Sequence, residues 1–391
     1  MPGAVSSTRG LVAAFSSTFF ELVGFFMLLP LLQLTLTARG VGASGVGLFT
    51  ALDWLGIFIV TPLAGRLARF LGERWSFWLS GALPLVCALG FVLTDAIWWW
   101  SVLFFVAGMA SGLRWIVGEA LVAQCAPERY RGRIVGLFQT MIGVTFMIGP
   151  GVLVLVGTQG TQPFVVVIAL LALGVACSLA LPATVRSATD EDHVPHAGVR
   201  TALRAAPSVM AAGFVGGLFE VGLTGLLPVL GLSIGFDNAA ATLLITVSGI
   251  GSAVLMLPAG ALADRFDRNR IAVVLTVLLL ASSLVSAALP DWPWLAWPLV
   301  FVWGGLGGAL YTIAMVSLGM RFRGPALVDR AAVLVMTYTL GGILAPPLGG
   351  LALDYAPRWG FTALFTLIAG LGLVLLLGAL RREARGHGGA A

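Results

Sequence analysis

The sequence predicts an all-α membrane protein with twelve transmembrane helices in two parallel six-helix halves. Three observations lead to this fold class. Apolar residues make up 59% of the 391 positions while charged residues make up only 10%, and the mean hydropathy is +1.01. The apolar residues form long continuous runs, and several distinctive residues recur about 196 positions later, as from position 150 to position 346.

The composition excludes a water-soluble globular protein. A soluble domain carries about 25% charged residues, and a soluble chain with the present composition would expose large apolar patches and aggregate. Strands of a membrane barrel would appear as alternating segments of about ten residues. The runs at 271–289 and 364–380 are longer and uninterrupted, so helices are the spans that the sequence predicts.

A membrane-spanning helix needs about 20 apolar residues, and the chain offers twelve such segments. We place them at residues 11–36, 44–67, 75–94, 97–124, 132–157, 163–182, 206–231, 239–263, 270–289, 294–319, 328–353 and 360–380. Two domains follow, an N-terminal half at 1–185 and a C-terminal half at 206–391. The segment 186–205, with acidic residues at 190–192, is predicted to be a cytoplasmic linker.

The arginines predict the orientation. If the N-terminus is cytoplasmic, 19 of the 22 basic residues lie in cytoplasmic segments, which the positive-inside rule favours. We therefore expect a multi-pass protein of the inner or plasma membrane with both termini in the cytoplasm. The positive charge is spread over many short loops, so it does not indicate a nucleic-acid partner.

The sequence contains no motif that indicates an enzyme, a metal site or a cofactor site. The three cysteines form no CxxC pair, and the three histidines lie in loops or the tail. No nucleophile–base constellation stands out, and the chain has no nucleotide-binding G-x-x-x-x-G-K-[ST] loop. We expect no enzyme activity, no cofactor and no metal.

The two halves repeat at a nearly constant spacing, and chance does not give five matches in order. At offsets of 195 or 196 positions the matched pairs are Gly65 and Gly260, Asp95 and Asp291, Gly108 and Gly304, Gly112 and Gly308, and Pro150 and Pro346. The first spans match too, because Phe20-Glu21 recurs as Phe219-Glu220. Parallel repeats of six spans, related by an axis along the membrane normal, are typical of transporters that bind substrate near the bilayer midplane.

Charged loops follow the second span of each half. The second copy reads Gly260-Ala-Leu-Ala-Asp264-Arg265-Phe-Asp267-Arg268-Asn-Arg270, and the first keeps Gly65, Gly72 and Arg74 but has Arg69 where the second has the acidic residue. This pattern resembles the loop motif of the major facilitator superfamily. In that family the loop is thought to hold neighbouring helices in one state through an Asp–Arg network, and the loss of the acid at Arg69 argues against such a network in the first half.

Further motifs extend this resemblance over nearly the whole chain. Arg114-x-x-x-Gly118 resembles the family's intramembrane arginine motif, while Gly149-Pro150-Gly151 and Gly341-x-x-x-Ala345-Pro346 resemble the Gly-Pro motif of its exporters and antiporters. The most similar pattern is that of the bacterial YcaD-like and drug-exporter-like members. The resemblance implies a secondary transporter that works by alternating access, with spans one, four, seven and ten lining a central cavity.

Ionisable residues inside a membrane are costly, about 2.5–3.5 kcal/mol at a helix centre on insertion scales, so they are functional candidates. Five lie well inside the predicted spans: Glu21, Asp53, Arg114, Glu119 and Glu220. Glu21 is about ten residues into span one, near the midplane, and Glu220 is its repeat mate. With the family arrangement both would face the cavity, and desolvation favours the protonated form of a carboxyl group. They could therefore couple transport to protons, or instead lock helix packing through hydrogen bonds.

The remaining charged candidates have expected partners. Arg114 stays charged and needs an intramembrane partner, for which Glu21 is the first choice. Glu119 lies closer to the cytoplasm, where loop arginines could pair with it. Asp53, beside Trp54, could be exposed to water at the cavity rim. Four further side chains could shape a pocket or serve ordinary packing: Trp115, Gln139, Tyr311 and Tyr338.

The sequence thus predicts a monomeric secondary transporter whose partners are a small organic molecule, protons and the lipid bilayer. Proton-coupled export is the favoured activity, because the Gly-Pro motifs resemble those of exporters. The alternative is proton-coupled uptake of a nutrient or of an anionic metabolite, in which Arg114 would bind the substrate's carboxylate.

Overall fold

The computed structural model describes residues 2–182, 199–323 and 325–388. Side chains are described throughout these ranges except at 2–7, 264, 325, 328–329 and 384–388. The acidic residues of the predicted linker and the side chain of Asp264 therefore lie outside the described part of the chain.

The described residues form α-helices joined by short loops and 3₁₀ turns, and they contain no β-strand. In the first half of the sequence the helices are α1 (Pro2–Ala38), α2 (Ala43–Leu71), α3 (Glu73–Leu93), α4 (Ile97–Cys125), α5 (Arg131–Val156) and α6 (Gln162–Ser178). In the second half they are α7 (Val199–Ala205), α8 (Pro207–Gly217), α9 (Leu227–Ser233), α10 (Asn238–Arg265), α11 (Arg268–Val285), α12 (Ala296–Arg321), α13 (Pro325–Tyr355) and α14 (Gly360–Gly388).

Each predicted span has a helical counterpart. In the described ranges, ten helices are long and apolar enough to cross a membrane, and α7 with α8 would make an eleventh despite a bend of 103°. The sixth predicted span corresponds to α6, which has only 17 residues. The seventh is interrupted, because α8 is followed by a π-helical turn at Leu218–Gly222 and then, after a short break, by α9. The protein is therefore a multi-span, all-helical membrane protein.

The repeat found in the sequence is also present in the helix packing. A Cβ atom added at Gly108 of α4 would overlap the carbonyl oxygen of Asp53 in α2. A Cβ atom added at Gly304 of α12 would overlap the carbonyl oxygen of Ser248 in α10 in the same way. Position 248 lies 195 residues after position 53, so the same close helix contact is built twice. Small residues at such crossings let membrane helices approach closely.

The described residues divide into two compact units, one within 1–35 and 52–182 and the other within 36–51 and 199–388. The first turns of α2 thus belong to the second unit. Within that unit the carboxylate of Asp354, at the end of α13, accepts hydrogen bonds from the backbone amides of Ala43 at 2.9 Å and Ser44 at 2.8 Å. These amides have no partner inside their own helix, so the carboxylate caps the N-terminus of α2.

The contact at Gly108 gives a test of the packing. We expect Gly108→Ala to lower the free energy of unfolding by about 1–3 kcal/mol, because the added methyl group must push α2 and α4 apart. Gly143→Ala is the matched control, since a Cβ atom there meets nothing within 4 Å. The control should be neutral or stabilising by about 0.5–1 kcal/mol. Equal thermal unfolding of the two variants in detergent would contradict the close contact.

Candidate functional site

An ion pair lies deep inside the first unit. The guanidinium of Arg114, on α4, donates from Nε and Nη2 to Oε2 of Glu21, on α1. It also donates from Nη1 to the carbonyl oxygen of Phe77 at 3.3 Å and from Nη2 to Oγ of Ser17 at 3.2 Å. The guanidinium carbon stands 3.9 Å from the centroid of the Phe77 ring. The predicted pairing of Arg114 with Glu21 is therefore present.

Glycines on two further helices make room for this pair. A Cβ atom at Gly81 of α3 would come within 2.6 Å of Nη2 of Arg114, and one at Gly174 of α6 within 3.1 Å of the Glu21 backbone nitrogen. Glu21 and Arg114 are each only 2% exposed. We expected Glu21 to face an open cavity, but it is buried against α4 and α6, which contradicts that placement. The alternative, a carboxyl that locks helix packing, agrees with these contacts.

The repeat mate of Glu21 has a different environment. Glu220 lies in the π-helical turn, where Oε1 accepts a hydrogen bond from Ser252 Oγ of α10 at 2.6 Å. Its Oε2 accepts one from the Tyr338 hydroxyl of α13 at 2.7 Å. The side chain is half-buried, and among the described residues no cation forms an ion pair with it. The repeat mate of Arg114 is Leu310, which explains the missing positive charge.

Two tyrosine rings lie near the carboxyl group of Glu220. The rings of Tyr311, on α12, and Tyr338 lie 4.6 Å apart at 49°. Gly308, one turn before Tyr311, has no side chain because a Cβ atom there would lie 2.9 Å from Oε1 of Glu220. The second unit thus brings together three of the predicted site residues, Glu220, Tyr311 and Tyr338.

A third cluster joins α4 and α5. Trp115 donates from its indole Nε1 to Oε1 of Glu119 at 2.6 Å, and the side-chain amide of Gln139 donates to the same oxygen. Trp115 and Glu119 are half-buried, and Gln139 is exposed. The expected pairing of Glu119 with cytoplasmic loop arginines is wrong, because neutral donors from its own helix and the next one bind it.

Asp53 was expected to be exposed to water at the cavity rim, but its side chain is buried. Its side chain is only 3% exposed, and its Oδ1 is buried with no hydrogen-bond partner among the described groups. The expected exposure to water is therefore wrong. The close α2–α4 contact at Gly108 carries this part of α2 into the protein interior.

The two charged loops that follow the second span of each half lie at helix ends. Gly72 has a φ of +83° and joins α2 to α3, a conformation that glycine adopts without strain. Arg69 is exposed, whereas Arg74 is half-buried with its guanidinium carbon 4.3 Å from the Trp78 ring centroid. In the second loop Gly260 has open space around it, and Arg265 and Arg270 are exposed while Arg268 is half-buried. The charge network predicted around Asp264 stays a prediction, because that side chain is not described.

Sequence reasoning missed the partners that set these environments. Ser17 lies one turn before Glu21 on the same helix face, a spacing that could have identified it. Ser252 is a polar residue inside the predicted eighth span, as are Thr246 and Ser248, so an intramembrane hydrogen bond from this part of α10 was foreseeable. Within the described ranges no group of three or more His, Cys, Asp or Glu residues could hold a metal ion.

The ion pair can be tested by a double-mutant cycle. Arg114→Leu leaves Glu21 buried and uncompensated, so we expect it to cost about 3–5 kcal/mol of stability. Adding Glu21→Leu should recover most of the loss, because a pair of apolar side chains can replace a buried ion pair and leucine already occupies the repeat position 310. The free energy of unfolding in detergent measures the cycle. A double variant no more stable than Arg114→Leu would argue against the coupling.

Known proteins resemble the chain along most of its length. An uncharacterised MFS-type transporter of Yersinia enterocolitica is 28% identical over 345 residues, or 86% of each chain. The MFS-type transporter YfkF of Bacillus subtilis is 26% identical over 83% of each chain. The MFS-type transporter YcaD of Escherichia fergusonii is 25% identical over 96% of each chain.

Solved structures agree on the fold. The nucleoside transporter NupG superimposes with a TM-score of 0.73 at 14% identity, covering 96% of this chain and 98% of its own. A D-xylose-proton symporter superimposes with a TM-score of 0.75 at 13% identity, covering 95% and 97%. The Major Facilitator Superfamily model matches residues 14–232 and, in a second match, 209–390. The chain therefore belongs to the major facilitator superfamily of membrane transporters.

Proposed function

We propose that this transporter exports a small organic molecule across the inner membrane in exchange for protons, and that Glu220 carries the proton. The observation on which this rests is the set of partners around Glu220. Both oxygens of its carboxyl group are bound by hydroxyl groups, from Ser252 and Tyr338. The residue is half-buried, and its carboxyl group lies among polar neighbours from α10 and α13.

Hydroxyl partners suit a group that gains and loses a proton. A hydroxyl group can donate a hydrogen bond to a carboxylate, and it can also accept one from a protonated carboxyl group. Both protonation states of Glu220 can thus be satisfied by rotating the hydroxyl hydrogens of its two neighbours. Little rearrangement of heavy atoms is needed between the two states.

Glu21, in contrast to Glu220, has a partner that does not suit the gain and loss of a proton. A guanidinium group has five donors and no acceptor, and it remains charged. A protonated Glu21 would therefore lose its attraction to Arg114 and leave an uncompensated cation in a site that is 2% exposed. We assign Glu21 and Arg114 to holding α1, α3 and α4 together, and we assign proton transfer to Glu220.

The local backbone supports a mobile role for Glu220. π-helical turns occur frequently at functional sites, and this one is followed by the break between Gly222 and α9. Such a break in a membrane helix is tolerated where the freed backbone groups find other partners or line a cavity. The hydroxyl of Thr224 supplies one such contact, because it donates to the carbonyl oxygen of Glu220 at 2.7 Å.

The contacts of Arg114 argue against the alternative of anionic-metabolite uptake. That function needs an accessible guanidinium, whereas Arg114 is buried and its three nitrogens are bound within the first unit. Export is favoured by the Gly-Pro motifs, which lie inside α5 at Pro150 and inside α13 at Pro346. Cytoplasmic termini are favoured by the arginine distribution, and a single chain suffices for all of these sites.

Proton binding can be observed without a substrate. We expect infrared difference spectra between acidic and neutral pH to contain the C=O stretch of a protonated carboxyl group that disappears in Glu220→Gln. The same band should persist in Glu21→Gln, because Glu21 is held as a carboxylate by Arg114. A band lost in Glu21→Gln and kept in Glu220→Gln would reverse the assignment.

Coupling can then be measured in vesicles with a substrate found by a ligand-stabilisation screen. Glu220→Gln should abolish uphill transport driven by a proton gradient while it leaves counterflow exchange largely intact, because exchange needs no proton release. Glu128→Gln, at an exposed loop carboxylate, is the matched control and should behave as the native protein. Unchanged uphill transport in Glu220→Gln would contradict the proposed carrier, and substrate entry in symport with protons would contradict export.

A further inference from the structure

In the cluster of Glu119, Trp115 and Gln139, one carboxylate oxygen of Glu119 accepts no hydrogen bond from the other two residues. Both hydrogen bonds that Glu119 accepts, from the Trp115 indole and the Gln139 amide, go to Oε1. No described group donates to Oε2, and that oxygen is not among the buried atoms. One carboxylate oxygen is thus fixed by its neighbours while the other remains open to a partner from outside the chain.

The charge of this cluster is uncompensated. Its two donors are neutral, and no cation of the described residues forms an ion pair with Glu119. Arg114, one position before Trp115 on the same helix, is already neutralised by Glu21. Arg114 is the only cation among the five ionisable residues well inside the spans, and because Glu21 pairs with it, it does not neutralise Glu119.

The indole beside the open oxygen adds a second recognition element. Its N–H is used to hold Glu119, which fixes the ring orientation, and the half-buried ring retains exposed surface. An aromatic face attracts a cation through its quadrupole, with tryptophan the most effective ring. A carboxylate next to an indole therefore favours a positively charged group on an apolar body and repels an anion.

We propose that Glu119 and Trp115 bind the cationic group of the transported molecule, and that the substrate class is therefore organic cations such as amines or quaternary ammonium compounds. This inference rests on the proposed transport of a small organic molecule and names its chemical class. It assigns Glu119 to the substrate and Glu220 to the proton, so the two roles can be tested separately.

The test uses three probes of similar shape and different charge: 2-phenylethyl-trimethylammonium, 2-phenylethanol and 3-phenylpropanoate. Their dissociation constants are measured calorimetrically on the purified full chain in detergent, at one pH and without a gradient. We expect the cation to bind at least about tenfold more tightly than the neutral alcohol, which corresponds to about 1.4 kcal/mol. The anion should bind most weakly.

Variants locate the effect. Glu119→Gln should raise the dissociation constant of the cation about tenfold and leave that of the alcohol unchanged. Glu119→Asp keeps the charge and should retain the preference for the cation, which guards against a folding defect in the first variant. Trp115→Leu should weaken cation binding, whereas Trp98→Leu, at an exposed indole, should not.

The outcomes separate this inference from proton coupling. Failure of the cation to bind, equal binding of the three probes, tighter binding of the anion, or an unchanged preference in Glu119→Gln would each overturn it. Glu220→Gln should retain the preference for the cation, because proton transfer is not needed for binding at one pH. Cation selectivity without proton-driven transport would leave the substrate class intact and refute the coupling alone.

Discussion

The interior of the first unit contains one buried arginine, Arg114, whose charge must be compensated. A guanidinium cannot shed its charge, and an unpaired charge in a low-dielectric interior costs several kcal/mol. The chain meets this constraint by bringing Glu21, Ser17 and the carbonyl and ring of Phe77 around Arg114. These groups come from α1 and α3 and Arg114 itself from α4, so the requirement to surround one side chain ties three helices together.

The second unit shows what happens when the same position carries no charge. Leu310 replaces the arginine, and the repeat-related carboxyl of Glu220 is bound by hydroxyl groups in its place. A common ancestral pattern has therefore produced two environments with opposite consequences. One carboxyl group is paired with a guanidinium, and the other is bound by hydroxyl groups that suit the proposed change of protonation.

The sequence was sufficient to predict features that depend on the average hydropathy of a long segment or on the need of one buried charge for a partner. Each apolar segment has a helical counterpart, and in the described ranges ten of these, or eleven with the bent pair, are long and apolar enough to span a membrane. The need of Arg114 for an anion identified Glu21. It was insufficient where the answer depends on helix rotation and on neighbours distant in the sequence. The burial of Asp53 against Gly108 and the neutral donors around Glu119 arise only when α2, α4 and α5 pack together.

The wide turn at Leu218–Gly222 has a consequence for comparing the two halves. An α-helix advances about 100° per residue, so one extra residue accommodated in a π-helical turn shifts the azimuth of the side chains that follow it in the same helix by about that angle, and the break before α9 alters the direction again. Pairs that match by sequence on the far side of the turn, such as Pro30 and Pro228, need not point in equivalent directions. Within the seventh span, internal sequence symmetry is therefore a poor guide to side-chain direction after Glu220, although the later helices keep the repeated contact at Gly304.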